Sequence, residues 1–88
     1  MICNIKKNPK CITTSIEDKL IILEFNSGHY FELNHIGMII WSLIDKHNNS
    51  DEIIQLLERK FDNKPNIKNS VESFLHDCSK KKLISFEV

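Results

Sequence analysis

Chemical reactivity in this 88-residue chain is concentrated in four histidines, three cysteines and twelve acidic side chains. Nucleophilic catalysis needs a Cys or Ser beside a His and an orienting acid. His76-Asp77-Cys78 brings those types together in sequence. Neighbours at i, i−1 and i−2 of a helix point to different sides, however. Cys78 instead ends the apolar series Ile67, Val71, Phe74, Leu75 and Cys78, whose steps of 4, 3, 1 and 3 trace one helical face, so it reads as a core thiol. Zinc needs converging nitrogen and sulfur ligands. His29, His35, His47 and His76 fall on four separate expected elements, and Cys3, Cys11 and Cys78 form no CxxC pair. Gly28 and Gly37 are the only glycines, too few for a phosphate-cradling loop. No catalytic residue, metal ligand or cofactor is expected.

Charge narrows the classes further. Lys plus Arg is 12 and Asp plus Glu is 12, a formal net charge of zero, whereas a dedicated nucleic-acid binder shows a basic excess. A winged-helix DNA binder is the alternative from that class. It would want Arg and Lys along a recognition helix, and Arg59 is the one arginine. The odd cysteine count cannot close into a complete disulfide framework, which points to a reducing compartment. Apolar runs are too short to cross a bilayer, and the N-terminus places Lys6 and Lys7 after its apolar residues, unlike a signal peptide. A cytoplasmic protein with no membrane or nucleic-acid partner is the expectation. At 41% apolar and 27% charged residues, the chain suits one small folded domain.

The elements that would position any site follow from patterning. Residues 1–10 carry Lys6, Lys7, Pro9 and Lys10 without periodicity and read as a flexible, solvated arm, leaving residues 11–88 as a single domain. Cys11 to Ile16 is rich in β-branched residues, and Lys19 to Phe25 and His29 to Leu33 flank Asn26-Ser27-Gly28. A three-residue hairpin loop with Gly28 left-handed is predicted, pairing Phe25 with His29, Leu23 with Phe31 and Ile21 with Leu33. That register collects Ile21, Leu23, Phe25, Phe31 and Leu33 on one face.

Three helices follow. The first is capped by Asn34 and runs to about Lys46, with Trp41 in its core and Gly37 costing about 1 kcal/mol unless backbone approach requires it. The second is capped within Asn49-Ser50-Asp51-Glu52. The third opens at Pro65-Asn66 and closes on Lys80, Lys81 and Lys82 at the negative end of its dipole. Those lysines would also suit a phosphate or an acidic peptide, though meeting helix carbonyls is their commoner role. Leu83 to Val88 is a candidate last strand. An α+β domain results, winged helix-turn-helix-like, with a three-stranded antiparallel sheet followed by three helices. Its third strand, His29 to Leu33, has an outer edge without a partner, no Pro or Lys to blunt it, and one carboxylate. An ordinary sheet edge is the commoner reading, and peptide capture by strand addition is the use such an edge invites.

Residues Gly28 to Trp41, with Leu33-Asn34, Gly37 and Ile40-Trp41 in register, resemble the PqqD-like family, the recognition elements for ribosomally made precursor peptides. Ser50-Asp51-Glu52-Ile53, Leu57, Phe61, Val71, Phe74-Leu75 and Leu83-Ile84 extend the similarity over Ile12 to Ile84. The resemblance implies a non-catalytic domain that binds the leader segment of a precursor peptide as a strand added to the third strand, against the third helix. By position, His29, Tyr30, Phe31, Glu32 and Leu33 would supply main-chain hydrogen bonds, and Val71, Glu72, Leu75, Cys78 and Lys82 would line the groove. As a stand-alone unit the chain looks like the recognition protein of lasso peptide clusters, whose partners are a leader peptidase and an ATP-dependent cyclase. A radical S-adenosylmethionine enzyme is the competing partner.

Overall fold

The computed structural model describes residues 1–61 and 66–88. Its elements in chain order are β1 (Cys3–Lys7), β2 (Cys11–Ile16), β3 (Lys19–Glu24), β4 (His29–Leu33), α1 (His35–Ile44), α2 (Ser50–Lys60), α3 (Ile67–Lys80) and β5 (Ile84–Glu87). Strands β2-β3-β4 form an antiparallel sheet with β4 at one edge, and β1 pairs antiparallel with β5 in a separate two-stranded ribbon. Ile22, Leu33, Ile40, Trp41, Ile53, Leu57, Val71 and Leu75 knit the larger sheet and all three helices into one core. The α+β class and the three-strand, three-helix order are as the patterning predicts.

Helix starts follow the expected caps. Asn34 Oδ1 accepts from the Gly37 amide at 2.8 Å, and Asn49 Oδ1 from the Glu52 amide at 3.0 Å. Pro65 lies outside the described residues; Asn66 precedes α3 with a left-handed backbone and no side-chain cap bond. Helix α3 ends in a Schellman turn: Lys82 takes φ 63°, its amide donates to Ser79 O at 3.0 Å, and the Leu83 amide donates to Cys78 O at 2.8 Å.

Two expectations need correction. The N-terminal segment is not a solvated arm. Ile2 and Ile5 are each only 4% exposed, because β1 lies beside β5 and along the α1–α2 connection. There the Ile2 amide donates to Ser50 Oγ (3.0 Å), Ser50 donates back to Ile2 O (2.8 Å), and the Ile5 amide donates to Asn48 O (3.0 Å). Lys7, which looked like a solvated charge, pairs with Asp45 at 3.0 Å and covers the Trp41 ring.

The hairpin register is also shifted by one residue. Glu24 pairs with His29, Leu23 with Tyr30, Ile22 with Phe31, Ile21 with Glu32 and Leu20 with Leu33, around a four-residue loop, Phe25 to Gly28. Because side chains alternate strictly, the slip exchanges the faces of β3: Ile22 enters the core, and Ile21, Leu23 and Phe25 turn away. Glu24 causes it. Its buried carboxylate accepts from the amides of Asn26 (2.7 Å) and Ser27 (3.0 Å), so a polar residue occupies a position that polarity alone assigns to solvent.

If β1 is part of the core, Ile5→Ala will cost about 2–5 kcal/mol in urea unfolding, the usual range for truncating a buried Ile; an unchanged midpoint would return this segment to solvent.

Candidate functional site: the β4 edge and its groove

Backbone phase determines what β4 offers. The Phe25 amide donates to Lys10 O at 3.0 Å, toward β2. Main-chain groups alternate sides along an antiparallel strand, so those of Glu24, Ile22 and Leu20 point toward β4. Their partners Phe31 and Leu33 are therefore bonded inward, while at the turn the His29 amide donates to Ser27 Oγ at 3.2 Å. Tyr30 and Glu32 direct both N–H and C=O outward, along an edge that pairs with no strand among the described residues. Two residues at i and i+2 with free donors and acceptors are the minimal template for an added strand.

Beside this edge runs a groove against the C-terminal half of α3. Its central pocket, about 140 Å³, is lined by Phe31, Glu32, Leu33, Asn34, Gly37, Phe74, Asp77, Cys78, Lys81 and Leu83. Toward the hairpin it opens onto Glu24, Ser27, His29, Lys80, Lys81 and Lys82. In the other direction it continues between α1 and α3 past Ser70, Ser73 and Ile36. Gly37 sets the depth: a Cβ there would stand 3.1 Å from Phe74 Cε1 and 3.4 Å from Leu33 Cβ, closer than packing allows without displacing the ring. The cap at Asn34 and the glycine three residues later thus let α1 approach α3 closely.

The groove wall differs from the one expected by position. Val71 and Leu75 are each 0% exposed and belong to the core beneath α3, one turn of helix face away from the opening. Glu72 is half-buried and does not line the groove. Cys78 is buried but contributes to the pocket floor, Lys82 lies at the hairpin end, and His29, Phe31, Glu32 and Leu33 all border the groove. Phe74, Asp77 and Lys81 were missed. The apolar series assigned Phe74 to the core with its neighbours, and only the steric demand of Gly37 could have placed it at the rim.

Electrostatics leave the one thiol in the groove without nucleophilic character. Burial pushes the Cys78 thiol up to about 12, partly opposed by Lys81, so it is protonated and unreactive at neutral pH. No cluster of three His, Cys, Asp or Glu side chains able to hold a metal occurs among the described residues. A larger depression of about 570 Å³, over the β1–β5 ribbon and the end of α3, is lined by Lys6, Lys7 and Lys82 together with polar residues and Pro9, Ile84 and Phe86. No described helix is long and apolar enough to cross a membrane. On the far side of the sheet, Ile12, Leu23 and Tyr30 form one cross-strand row, next to Ile16 and Ile21, and Tyr30 is 74% exposed. That outer face, which also carries Thr14 and the Lys19–Glu32 ion pair, stands opposite the one that packs on the helices.

The architecture is an α+β domain with a bare sheet edge beside a groove of mixed polar and apolar lining. The chain belongs to the PqqD family: the family model for coenzyme PQQ synthesis protein D matches residues 19–84. Two solved structures share its fold. TbiB1 in complex with the TbiA(beta) leader peptide superposes with a TM-score of 0.83 at 24% identity, covering 94% of this chain and 98% of that one. A lasso peptide synthetase B1 complexed with a leader peptide gives 0.78 at 16% identity, covering 92% and 96%. No curated protein matches the chain in sequence.

Glu24 yields a test of the hairpin. Its carboxyl is held below the usual value, first by the Asn26 amide and then, against the cost of burial, by Ser27 and the positive field of Lys82. A lowered folded pKa means stability that is fully present above the unfolded carboxylate range and lost as pH falls through the folded value. Glu24→Gln should therefore lower stability at pH 7 and flatten the acid limb of the unfolding-midpoint profile; a variant with the parent's acid limb would show that Glu24 does not carry it.

Proposed function

We propose that this protein binds the leader segment of a ribosomally synthesised precursor peptide as a fourth strand on β4. It does no chemistry itself and delivers the peptide to maturation enzymes, a leader peptidase and an ATP-dependent cyclase. The observation that carries the reading is the outward main-chain phase of Tyr30 and Glu32 directly above the Phe31–Phe74 pocket. Edge and groove together suit an extended segment: alternate residues exchange hydrogen bonds with Tyr30 and Glu32, and alternate side chains enter the pocket. Family membership supports it, as do the two proteins of like fold, both of which hold leader peptides. In this reading His29, Tyr30, Phe31, Glu32 and Leu33 form the pairing edge, with Cys78 and Lys82 in the groove and Phe74 and Lys81 added to them. Delivery needs a second surface. The outer face bearing Ile12, Leu23 and Tyr30 stays open when the groove is filled and is continuous with the added strand, so it suits the enzyme partner.

Proline substitution separates the two main-chain phases. Tyr30→Pro deletes an outward donor, worth about 1 kcal/mol or roughly fivefold in Kd, and also blocks close approach. The expected result is weaker binding of a synthetic leader peptide by a domain with unchanged circular dichroism. Phe31→Pro removes a bond to β3 and should chiefly lower the melting temperature. Equal leader affinity of folded Tyr30→Pro and the parent would remove strand addition.

A further inference from the structure

The β4 groove is electrically asymmetric. At its hairpin end stand His29, Lys80, Lys81 and Lys82; at the other are Asn34, Ser70, Ser73 and Asp77. Lysines at a helix C-terminus ordinarily satisfy its last carbonyls, but here the backbone already does so. Asp77 O accepts from the Lys81 amide, Ser79 O from Lys82 and Cys78 O from Leu83.

Nor are these ammonium groups paired. The ion pairs among the described residues are Lys7–Asp45, Lys19–Glu32 and His47–Glu52. The one carboxylate at this end, Glu24, is occupied by the Asn26 and Ser27 amides, and the lysine whose field reaches it is Lys82. Lys82 itself adopts a left-handed conformation that favours glycine. Lys81 makes no ion pair among the described residues, although Asp77, one helical turn back, and Glu32, already paired with Lys19, line the same pocket. Its Nζ lies 5.1 Å from the Phe31 ring centroid, at the boundary between the apolar pocket and the basic end.

We infer that the peptide bound on β4 carries an Asp or Glu whose carboxylate pairs with Lys81, on the same strand face as an apolar side chain seated between Phe31 and Phe74. This rests on the strand-addition reading. Because side chains on one face recur every second residue, the acid sits an even number of positions from the apolar anchor. Lys81 acts as a specificity residue: apolar burial and main-chain bonds hold the peptide, and the charge chooses which segment fits and in which register.

The test is a display library of random decapeptides panned on the intact protein at low salt, followed by titration of the best binder and its Glu→Gln (or Asp→Asn) derivative. Expected are sequences with an acid at even spacing from an apolar residue, and an about two- to fivefold weaker amide derivative, the size of a solvent-facing ion pair. That difference should vanish with Lys81→Gln, whose melting temperature checks folding, and shrink in about 1 M NaCl. Binders lost with Tyr30→Pro but lacking the acid preference, or an amide effect that persists in Lys81→Gln, would overturn the role of Lys81 and leave strand addition standing. Binders indifferent to Tyr30→Pro, or no enrichment at all, would overturn both.

Discussion

The buried carboxylate of Glu24 holds the hairpin in one register, and the character of the β4 edge follows from that register. Accepting from two loop amides, it closes a four-residue loop and brings His29 opposite. With a three-residue loop, Glu24 would face Tyr30, and the alternation of main-chain groups would send the amides of His29, Phe31 and Leu33 to the edge instead. Phe31 would then leave the face it shares with Lys81 and the α3 groove. One acid in a turn thus determines which backbone groups are free and which aromatic ring lies beneath them.

The second constraint lies at the β4–α1 junction. Asn34 caps α1 through the Gly37 amide, and Gly37 in turn admits Phe74 to within packing distance. The Leu-Asn-x-x-Gly spacing is therefore a packing device: it ends the edge strand, starts the helix and brings α3 alongside. Backbone groups and apolar surface form the centre of such a site, while Glu32, Asp77 and Lys80 to Lys82 put charge along its rim. The buried thiol at its floor is protonated, and the acid at its end is bound into a turn.

Much of this was legible in the residues. The hairpin glycine, the Asn34 and Asn49 caps and the α3 stripe located the sheet and helices, and the unblunted strand His29 to Leu33 identified the edge. What escaped has common physical causes. The expected inner face of the hairpin, Ile21, Leu23 and Phe25, leaves out Glu24, because polarity patterns cannot see two backbone amides waiting inside a turn. The first strand was hidden because Ile2 and Ile5 are three apart, out of step with strand alternation; a shift in the β1–β5 register between Cys3 and Lys6, with Asn4 left-handed, reconciles them. The burial of Val71 and Leu75 was not legible because Val71, Phe74, Leu75 and Cys78 lie on one broad helical face, and periodicity does not reveal which margin of that face stays open.

Residue-resolved amide hydrogen exchange along β4 addresses the central claim most directly, because it reads the main-chain phase without substitution. In the free protein, the amides of Tyr30 and Glu32 should exchange quickly while those of Phe31 and Leu33 are protected by β3. Saturation with leader peptide should then slow Tyr30 and Glu32 specifically. Fast exchange at Phe31 with protection at Tyr30 in the free protein, or a bound leader that leaves Tyr30 and Glu32 unprotected, would contradict strand addition at this edge.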